Sequence, residues 1–407
     1  MKRILGLIIV AAISMMTLSS CLLLEGEGYS FIGDGGKDIT VDGGDSYENI
    51  NITTSADANA LAASKALLSA VSVQAIFRGT SGASGSGVIY KLDKEKGDAY
   101  IITNYHVVYD SSLQTNNGIS TNITVYLYGG EPNSYAVNSY PIEATYLGGS
   151  MYYDIAVLKV VGSEVLMASD ARAVDVANSD EVAVLDTAIA IGNAKGLGIS
   201  ATVGAVNVDS EEIPIPQNFI PAGSSQNHTF RVIRIDTAVN EGNSGGGLFN
   251  SKGELIGIVN AKVMADGTEN IGYAIPSNVA VAIAENAMHY RDGSVYRCML
   301  GVNIRILDHG SKYDTVSGKV YKYETVVIVD VVAGSGAQGY LEVGDIINSI
   351  TVDGKTQRVT RMHQVVEAML YARVESRVTI NVTRGDKAMD IELPITRSML
   401  TEWRVIG

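Results

Sequence analysis

Three polar residues, far apart in the chain, have the types that together activate a serine hydroxyl. Ser244 lies in a segment built from glycine, Gly242-Asn243-Ser244-Gly245-Gly246, while His106 precedes two valines and Asp154 heads an apolar run. A serine hydroxyl is a poor nucleophile until a base takes its proton, and histidine titrates near neutral pH. A carboxylate would orient the ring and stabilise its charged form. The three residues predict acyl transfer through Ser244.

The segment around Ser244 also offers donors for the negative charge that acyl transfer creates. The backbone N–H groups of Gly242 and Ser244, on either side of Asn243, can converge on an oxyanion. A side chain at position 242 would obstruct the substrate, so glycine fits there. We therefore predict the oxyanion hole at Gly242, Asn243 and Ser244.

Each of these residues has an ordinary explanation when taken alone. A histidine before two valines is often packed or on the surface, Asp154 resembles a strand-start residue, and Asp110 and Asp236 are rival carboxylates. The glycines around Ser244 also fit a tight turn. What joins the three is their order along the chain, His, Asp and then Ser, which is that of chymotrypsin-like serine proteases.

The elements that position these residues are short strands. From residue 71 to 273, β patterns follow one another between Gly and Asn turns, which predicts a sandwich or barrel. One predicted strand, 100–108, carries His106. A helix is predicted to begin after Ser277 as its N-cap and to close this domain near Tyr290. Residues 300–395 form a separate predicted unit, with strands at 325–332, 346–352 and 378–382 and a helix at about 363–372.

The first twenty-one residues predict export. Met1-Lys2-Arg3 is basic, a mainly apolar run extends from Ile4 to Met16, and Leu18-Ser19-Ser20-Cys21 lies just beyond it. This is the pattern of a secretory signal peptide, and the run is shorter than the roughly 20 residues that span a bilayer. Leu-Ser-Ser-Cys resembles the bacterial lipoprotein signal, which predicts lipidation of Cys21. Ordinary secretion and an uncleaved anchor stay open as alternatives.

Charge and composition exclude several other classes. Asp and Glu outnumber Lys and Arg by 44 to 30, a balance that repels phosphates and disfavours nucleic-acid binding. The five histidines are scattered without ligand spacing, so we predict no metal site and no cofactor. Cys298 is predicted to be a free, half-buried thiol with no role in catalysis. Residues 334–339 fit a dinucleotide-binding pattern, but the segment after them is too short for the required helix.

Further motifs make the chain similar to a known family. Ser84-Gly85-Ser86-Gly87-Val88-Ile89, Ala190-Ile191-Gly192-Asn193 and residues 270–277 resemble segments of the bacterial HtrA (DegP-like) serine proteases. The resemblance covers about residues 64–395. It implies a mainly β fold, with two six-stranded β-barrels of the chymotrypsin/trypsin type followed by a PDZ domain, a β-sandwich-like unit with helices. The chain departs from the family pattern at Ala194 and Gly247, where the family commonly has proline.

The resemblance implies four segments along the chain. These are a lipoprotein signal peptide at 1–20, an acidic tether at 21–60, a trypsin-like domain at 61–290 and a PDZ domain at 298–397. In the protease domain, Ala238 stands six residues before the serine, where enzymes with basic preference carry an acid. An apolar residue there predicts cleavage after small or medium aliphatic residues. The substrate pocket and the PDZ carboxylate loop are expected at two further sets of residues, Val259, Asn260 and Ala261, and Met299, Leu300, Gly301 and Val302.

Together these observations predict a membrane-anchored serine endopeptidase of the bacterial cell envelope. It would degrade unfolded or damaged proteins, bind peptide C-termini at the PDZ domain, and sit on the extracytoplasmic side of a membrane through Cys21. The family suggests a homotrimer or higher oligomer. Two alternatives stay open: a latent or non-proteolytic chaperone or PDZ scaffold, and a narrow processing protease in envelope stress signalling.

Overall fold

The computed structural model describes residues 55–79, 81–113, 115–132, 139–214, 229–261 and 271–402. The predicted signal peptide, the lipidation site Cys21 and the tether up to residue 54 lie outside the described residues. Within these ranges, no helix combines the length and the apolar character needed to cross a membrane.

The described chain begins with helix α1, Ser55–Leu67. The alanines of this helix let it lie close to the core, and Ala62 and Ala66 are buried there. Ala62 lies close enough to the turn at Gly253 that a side chain at that glycine would meet its carbonyl.

The first barrel is a closed six-stranded sheet with strand order β1-β2-β3-β6-β5-β4. Its interior is aliphatic and includes Ile89, Ile101 and Leu158. The strands are β1 Ala70–Arg78, β2 Ser81–Asp93, β3 Asp98–Thr103, β4 Asn122–Leu127, β5 Ile142–Ser150 and β6 Ile155–Val160.

The second barrel repeats this architecture with strand order β10-β11-β12-β9-β8-β7. Its strands are β7 Thr187–Gly192, β8 Ser200–Pro214, β9 Thr229–Ile235, β10 Gly247–Phe249, β11 Leu255–Val259 and β12 Gly272–Pro276. The predicted fold class, mainly β with two closed six-stranded barrels, is confirmed.

The strand expected at 100–108 was predicted too long. β3 ends at Thr103 and residues Tyr105–Val108 form one helical turn, α2. The N–H groups of Tyr105 and His106 donate to the backbone and side-chain oxygens of Asp154, so they cannot pair in a strand. His106 therefore lies on a helical turn, and a contact distant in sequence sets where the strand ends.

Two further helices accompany the barrels. The shorter is α3, Glu164–Ala168, and the longer is α4, Ser277–Tyr290, after the second barrel. The predicted cap of α4 was wrong: Pro276 is the N-cap, and Ser277 is the first helical residue, with its hydroxyl donating to the carbonyl of Ala177 at 2.8 Å.

The C-terminal unit is a twisted β-sheet with one short helix. The strand order is β14-β15-β16-β18-β19, with β17 paired to β16, while β13 and β20 form a separate pair. Helix α5, Met362–Met369, covers one face of the sheet. The strands are β13 Tyr296–Cys298, β14 Val302–Asp314, β15 Lys319–Val331, β16 Ile346–Val352, β17 Lys355–Arg358, β18 Arg377–Arg384, β19 Lys387–Pro394 and β20 Leu400–Glu402.

Candidate active site

Asp154 and His106 form a buried hydrogen-bonded pair in the first barrel. His106 Nδ1 lies 2.7 Å from Asp154 Oδ2, and the backbone N–H of His106 donates to Oδ1 at 2.9 Å. Two contacts at once fix both the position of the helical turn and the plane of the ring. Because Nδ1 faces the carboxylate, Nε2 is directed away from it. A histidine that acts as a base on another residue needs one ring nitrogen in that position.

The backbone around Asp154 is held as firmly as its side chain. Asp154 has a left-handed φ of 50° in the turn between β5 and β6. Its carbonyl accepts from the N–H of Tyr105 at 3.1 Å and from Asn104 Nδ2 at 2.8 Å. Asn104, fully buried, was missed in the sequence, although its place two residues before the histidine made it a candidate.

Asn260 has a different position from the one predicted. It was expected to line the substrate pocket, but its side chain is 1% exposed and its Nδ2 donates to Asp154 Oδ2 at 2.9 Å. The backbone N–H of Asn260 donates to the carbonyl of Tyr273 at 2.8 Å, which extends the pairing of the second barrel. The amide therefore adds a third N–H donor to the carboxylate that faces His106.

Ser244 lies in the second barrel's loop against two strands of the first. Its carbonyl accepts from the N–H of Ser86 at 2.8 Å, and the N–H of Gly245 donates to Val259 at 3.0 Å. A side chain at Gly245, whose φ is 85°, would overlap Thr103 and the carbonyl of Ser86. The loop thus approaches the end of β3, just ahead of the His106 turn.

The Ser244 hydroxyl is buried and already has one partner. Ser244 is 5% exposed, and its Oγ accepts from the N–H of Ala261 at 3.2 Å. Among the hydrogen bonds of the described residues, none joins this Oγ to the His106 ring. Such bonds are often long without substrate and tighten in the complex.

The peptides that carry the Gly242 and Ser244 N–H groups are each held by a hydrogen bond to their carbonyl. Lys195 N–H donates to the carbonyl of Glu241 at 2.7 Å, and Gly246 N–H to that of Asn243 at 2.9 Å. In a trans peptide the N–H points opposite to the carbonyl. The Gly242 and Ser244 N–H groups therefore point away from the donors that bind these two carbonyls. Within the described ranges, neither has an acceptor.

The third predicted member of the oxyanion hole differs from the other two. The N–H of Asn243 donates to the carbonyl of Asn240 at 3.0 Å, so it is already used within the loop. Gly242 has a φ of 93°, and a side chain there would overlap the carbonyl of Asn193. This explains in physical terms why position 242 is glycine.

The remaining residues predicted for the substrate pocket differ in exposure. Ala238 is exposed and its carbonyl accepts from the Thr202 hydroxyl at 3.0 Å, while Val259 is fully buried at the end of β11. The rival carboxylates bind elsewhere: Asp110 accepts from Ser112 N–H at 2.8 Å, and Asp236 from Ala205 N–H at 2.6 Å.

The predicted carboxylate loop borders a cavity of about 540 Å³. Gly301 has a φ of 77°, and its carbonyl accepts from Val332 N–H at 2.9 Å, while that of Leu300 accepts from Ala337 N–H at 3.1 Å. Met299 is exposed and Val302 begins β14. The cavity lies between β14, helix α5 and the second barrel, and its lining includes Arg297, Phe230, Tyr152, Val365 and Met369.

A second buried Asp–His pair lies between the second barrel and the C-terminal unit. His363 Nε2 is 3.7 Å from Asp180 Oδ1. Arg231 Nη1 donates to Asp180 Oδ1 at 2.9 Å and to both oxygens of Glu367 at 2.9 and 3.0 Å. The remaining oxygen of Asp180 accepts from two amides of the C-terminal unit, those of Gln357 and Gln364, each at 3.0 Å.

This ionic cluster contains the one group of metal-ligand types that the described residues bring together. Potential ligand atoms of Asp180, His363 and Glu367 lie within 4.8 Å of one another. Arg231 bridges the two carboxylates, so its guanidinium already provides the positive charge that a metal ion would bring. The donor set therefore suits an internal ion pair better than a metal site.

Cys298 is a buried free thiol in β13, more deeply buried than predicted. Burial raises the pKa of the thiol to about 12. It therefore stays protonated near neutral pH and is a poor nucleophile.

Comparisons with known proteins agree with this geometry. The family model described as a trypsin-like peptidase domain matches residues 85–258. The serine protease Do-like HtrA of Lactococcus lactis subsp. cremoris is 31% identical over 344 residues, which cover 79% of this chain and 76% of the relative. The Escherichia coli periplasmic pH-dependent serine endoprotease DegQ is 28% identical, over 77% of this chain and 59% of DegQ.

A solved structure gives the same result for the fold. The HtrA-type protease AlgW with tripeptide has a TM-score of 0.50 and 24% identity, covering 84% of this chain and 97% of AlgW. A probable periplasmic serine endoprotease, DegP-like, of Chlamydia pneumoniae is 33% identical over 74% of this chain and 53% of that relative.

Proposed function

The chain belongs to the HtrA/DegP family of serine proteases, and from this premise we propose that Ser244, His106 and Asp154 are its catalytic triad. The observation that carries the proposal is the buried hydrogen bond between His106 Nδ1 and Asp154 Oδ2, 2.7 Å long. It gives the histidine the orientation that a general base needs, on the barrel that the Ser244 loop packs against.

The proposed reaction is acyl transfer in two steps. The Ser244 Oγ attacks the scissile carbonyl carbon while His106 Nε2 takes the hydroxyl proton, and the carbonyl electron pair moves onto oxygen. The N–H groups of Gly242 and Ser244 stabilise that oxyanion. His106 then gives the proton to the leaving amine as the peptide bond breaks, and a water molecule hydrolyses the acyl-enzyme by the same route.

We infer a preference for small or medium aliphatic residues at the cleavage position. Ala238, six residues before Ser244, offers no carboxylate to pair with a lysine or arginine. The backbone at Val259, Asn260 and Ala261 would pair with the substrate as an added strand. Cleavage of a peptide library mainly after arginine would contradict this specificity.

We further propose that residues 298–397 are a PDZ domain that binds peptide C-termini. The supporting features are the edge position of β14, the loop at residues 299–302 and the cavity beside helix α5. Backbone N–H groups of the loop would hold the terminal carboxylate while the peptide extends the sheet along β14. Measured binding of a peptide, lost when its C-terminus is amidated, would test this.

The proposed setting is the bacterial envelope, where the enzyme would degrade unfolded proteins while anchored through lipidated Cys21. The names of the E. coli and C. pneumoniae relatives place those two proteins in the periplasm. The segment preceding Cys21 has the form of a lipoprotein signal. A homotrimer or higher oligomer is part of the same proposal, to be tested by light scattering.

A latent resting state is the second candidate. It is favoured by the Ser244 hydroxyl, which accepts from Ala261 N–H and has no hydrogen bond to the His106 ring among the described residues. In that case a C-terminal peptide would be needed to start proteolysis.

The test is a casein digestion time course with the full chain and a Ser244→Ala variant. We expect degradation by the wild type and a loss of at least about 10⁴-fold in the variant, because the hydroxyl is the nucleophile. Equal degradation by both would exclude the triad. If the wild type degrades casein only after a C-terminal peptide is added, and Ser244→Ala does not degrade it even then, the latent form is correct.

A further inference from the structure

One buried hydroxyl joins the first barrel to both loops that shape the oxyanion hole. Ser86 Oγ donates to the carbonyl of Gly242 at 2.6 Å and accepts from the N–H of Asn193 at 2.8 Å. We propose that Ser86 is a positioning residue that holds the oxyanion hole in its working geometry. The inference rests on the proposed function, since it takes Ser244 as the nucleophile.

The direction of the Ser86 side chain follows from the strand. Ser86 lies in β2 directly opposite Ser72 of β1, so both hydroxyls are on one face of the sheet. The neighbouring Gly87 faces the other way, where a Cβ would meet Ile101 and Val71 in the barrel interior. Successive side chains alternate across a strand, so Ser86 is directed out of its own barrel and towards the loops of the second.

Ser86 holds the Ser244 loop at two places. Its hydroxyl binds the Gly242 carbonyl, and its backbone N–H donates to the carbonyl of Ser244 at 2.8 Å. These carbonyls flank Asn243, so the residues whose N–H groups would bind the oxyanion are both tied to one strand residue. Ser86 is 1% exposed, so these bonds are shielded from solvent.

The Ser86 hydroxyl also binds a second loop, which contacts the Ser244 loop. It accepts from the N–H of Asn193, and two residues later the Lys195 N–H donates to the carbonyl of Glu241 at 2.7 Å. That bond sets the plane of the peptide that carries the Gly242 N–H. The Asn193 side chain is also bound, to Ser72 Oγ at 2.7 Å, so the loop is joined to two strands of the first barrel.

A hydroxyl suits this position because it donates and accepts at once. Alanine would leave the Gly242 carbonyl and the Asn193 N–H without that partner, in a buried place where an unpaired group is costly. The Gly242–Asn243 peptide can then rotate to relieve the mismatch. The peptides on either side of it carry the Gly242 and Ser244 N–H groups, so its rotation moves both donors away from the oxyanion. The loss of the hydroxyl and the rotation of the peptide both leave residues 259–261 in place. Substrate binding should therefore be preserved while the chemical step is slowed.

The test compares three variants of the full chain on a fluorogenic peptide with valine at the cleavage position. Ser86→Ala removes the hydroxyl, Ser86→Thr retains it, and Ser277→Ala is the matched control. Ser277 is equally buried and also donates to a backbone carbonyl, that of Ala177, but belongs to helix α4. The readouts are kcat, KM and the inhibition constant of a peptide aldehyde, whose adduct on Ser244 places an oxygen in the hole.

We expect Ser86→Ala to lower kcat about tenfold, less than the roughly 10²- to 10³-fold typical when a donor itself is lost. The aldehyde should bind about tenfold more weakly, KM should change less than about twofold, and Ser86→Thr should recover most of the rate, because the effect is on transition-state stabilisation. Ser86→Ala with the same kcat as Ser277→Ala would overturn the inference, as would an equal loss in Ser86→Thr.

A Ser244→Ala variant measured alongside separates two kinds of failure. If it keeps wild-type activity, the proposed triad is wrong and this inference falls with it. If it is inactive while Ser86→Ala is fully active, the triad stands and only the role of Ser86 is overturned.

Discussion

The two buried Asp–His pairs of this molecule have almost the same exposure and different surroundings. In the candidate active site, the His106 and Asp154 side chains are 13% and 6% exposed. Between the second barrel and the C-terminal unit, those of His363 and Asp180 are 12% and 7% exposed. The first pair is in hydrogen-bond contact at 2.7 Å, whereas the second is 3.7 Å apart. Burial alone therefore does not distinguish a candidate catalytic pair from a structural one.

What differs is the source of the donors to each carboxylate. Asp154 accepts from the backbone and ring of His106 and from the Asn260 amide, and the described residues place no Lys or Arg in an ion pair with it. Asp180 is paired with Arg231. The guanidinium beside Asp180 carries a permanent charge, whereas among the described residues no permanent cation is paired with Asp154.

The pKa of Asp180 reflects that permanent charge. Burial alone would raise the pKa of this carboxyl group, but the nearby His363 ring and the Arg231 guanidinium outweigh it and hold the pKa well below its usual range. Asp180 is thus ionised near neutral pH. A fixed ion pair of this kind can hold two domains together but cannot relay a proton.

The sharpest way to break this comparison is to remove the charge of each aspartate in turn. We expect Asp154→Asn to lower kcat by about 10⁴-fold, since an amide no longer selects the ring tautomer that makes Nε2 a base. Asp180→Asn should change kcat less than about threefold, because no proton moves there. The measurement is steady-state hydrolysis of one fluorogenic peptide by both variants, and equal losses would remove the distinction.

Arg231 is the next test, directed at stability. Arg231→Met leaves Asp180 and Glu367 buried without their cation, and breaking such a pair typically costs about 3–5 kcal/mol. Arg234→Met in the same strand is the control, because its ion pair with Glu211 is about one-third exposed and worth about 0–1 kcal/mol. Urea denaturation measures both, and similar losses would show that burial does not set the strength of the ion pair.

These two regions also differ in how far the sequence predicts them. The cleft follows from its residue types: the glycines around Ser244 and the order of His106, Asp154 and Ser244 predicted a site that the fold brings onto neighbouring loops. The short strand patterns predicted a sandwich or barrel, and the family resemblance specified two six-stranded barrels. The strand patterns are a local signal, whereas the triad was predicted from the order of three residues that lie far apart in the chain.

The remainder could not be predicted because it depends on contacts distant in sequence. β3 ends at Thr103 only because Asp154, some fifty residues later, takes the next N–H groups. Asn260 follows a buried strand like any polar residue, and nothing nearby indicates that it faces Asp154. Arg231, in a strand of alternating character, has the pattern of a surface residue, and it is buried only because the C-terminal unit covers it with Glu367.

Asn260 gives a smaller effect, within the cleft. Asn260→Ala removes one hydrogen bond to the charged Asp154, worth about 1.5–3 kcal/mol, so kcat should fall roughly 10- to 100-fold with little change in KM. Asn381→Ala is the control, since its amide donates to an exposed carboxylate, Asp390, at 2.6 Å. A rise in KM with kcat unchanged would mean that Asn260 acts on the substrate pocket as first predicted.

The smallest expected effect is the pH dependence of the stability that Asp180 contributes. A carboxyl group whose folded-state pKa is depressed adds stability that is complete above the unfolded pKa, about 3.9 for Asp, and is lost as the pH falls towards the folded value. The difference in unfolding free energy between the wild type and Asp180→Asn should therefore persist down to pH 5 and shrink below about pH 4.

Urea denaturation of the two proteins at pH 7, 5, 4 and 3 measures that difference, and Asp170→Asn, which removes an exposed carboxylate, gives the baseline. A difference that grew below pH 4 would mean that burial, not the neighbouring Arg231 and His363, dominates the environment of Asp180. A difference that already shrank between pH 7 and 5 would give Asp180 a proton to exchange near neutral pH. Either result would make the interdomain pair a site that can switch, and its contrast with Asp154 and His106 would then rest on distance alone.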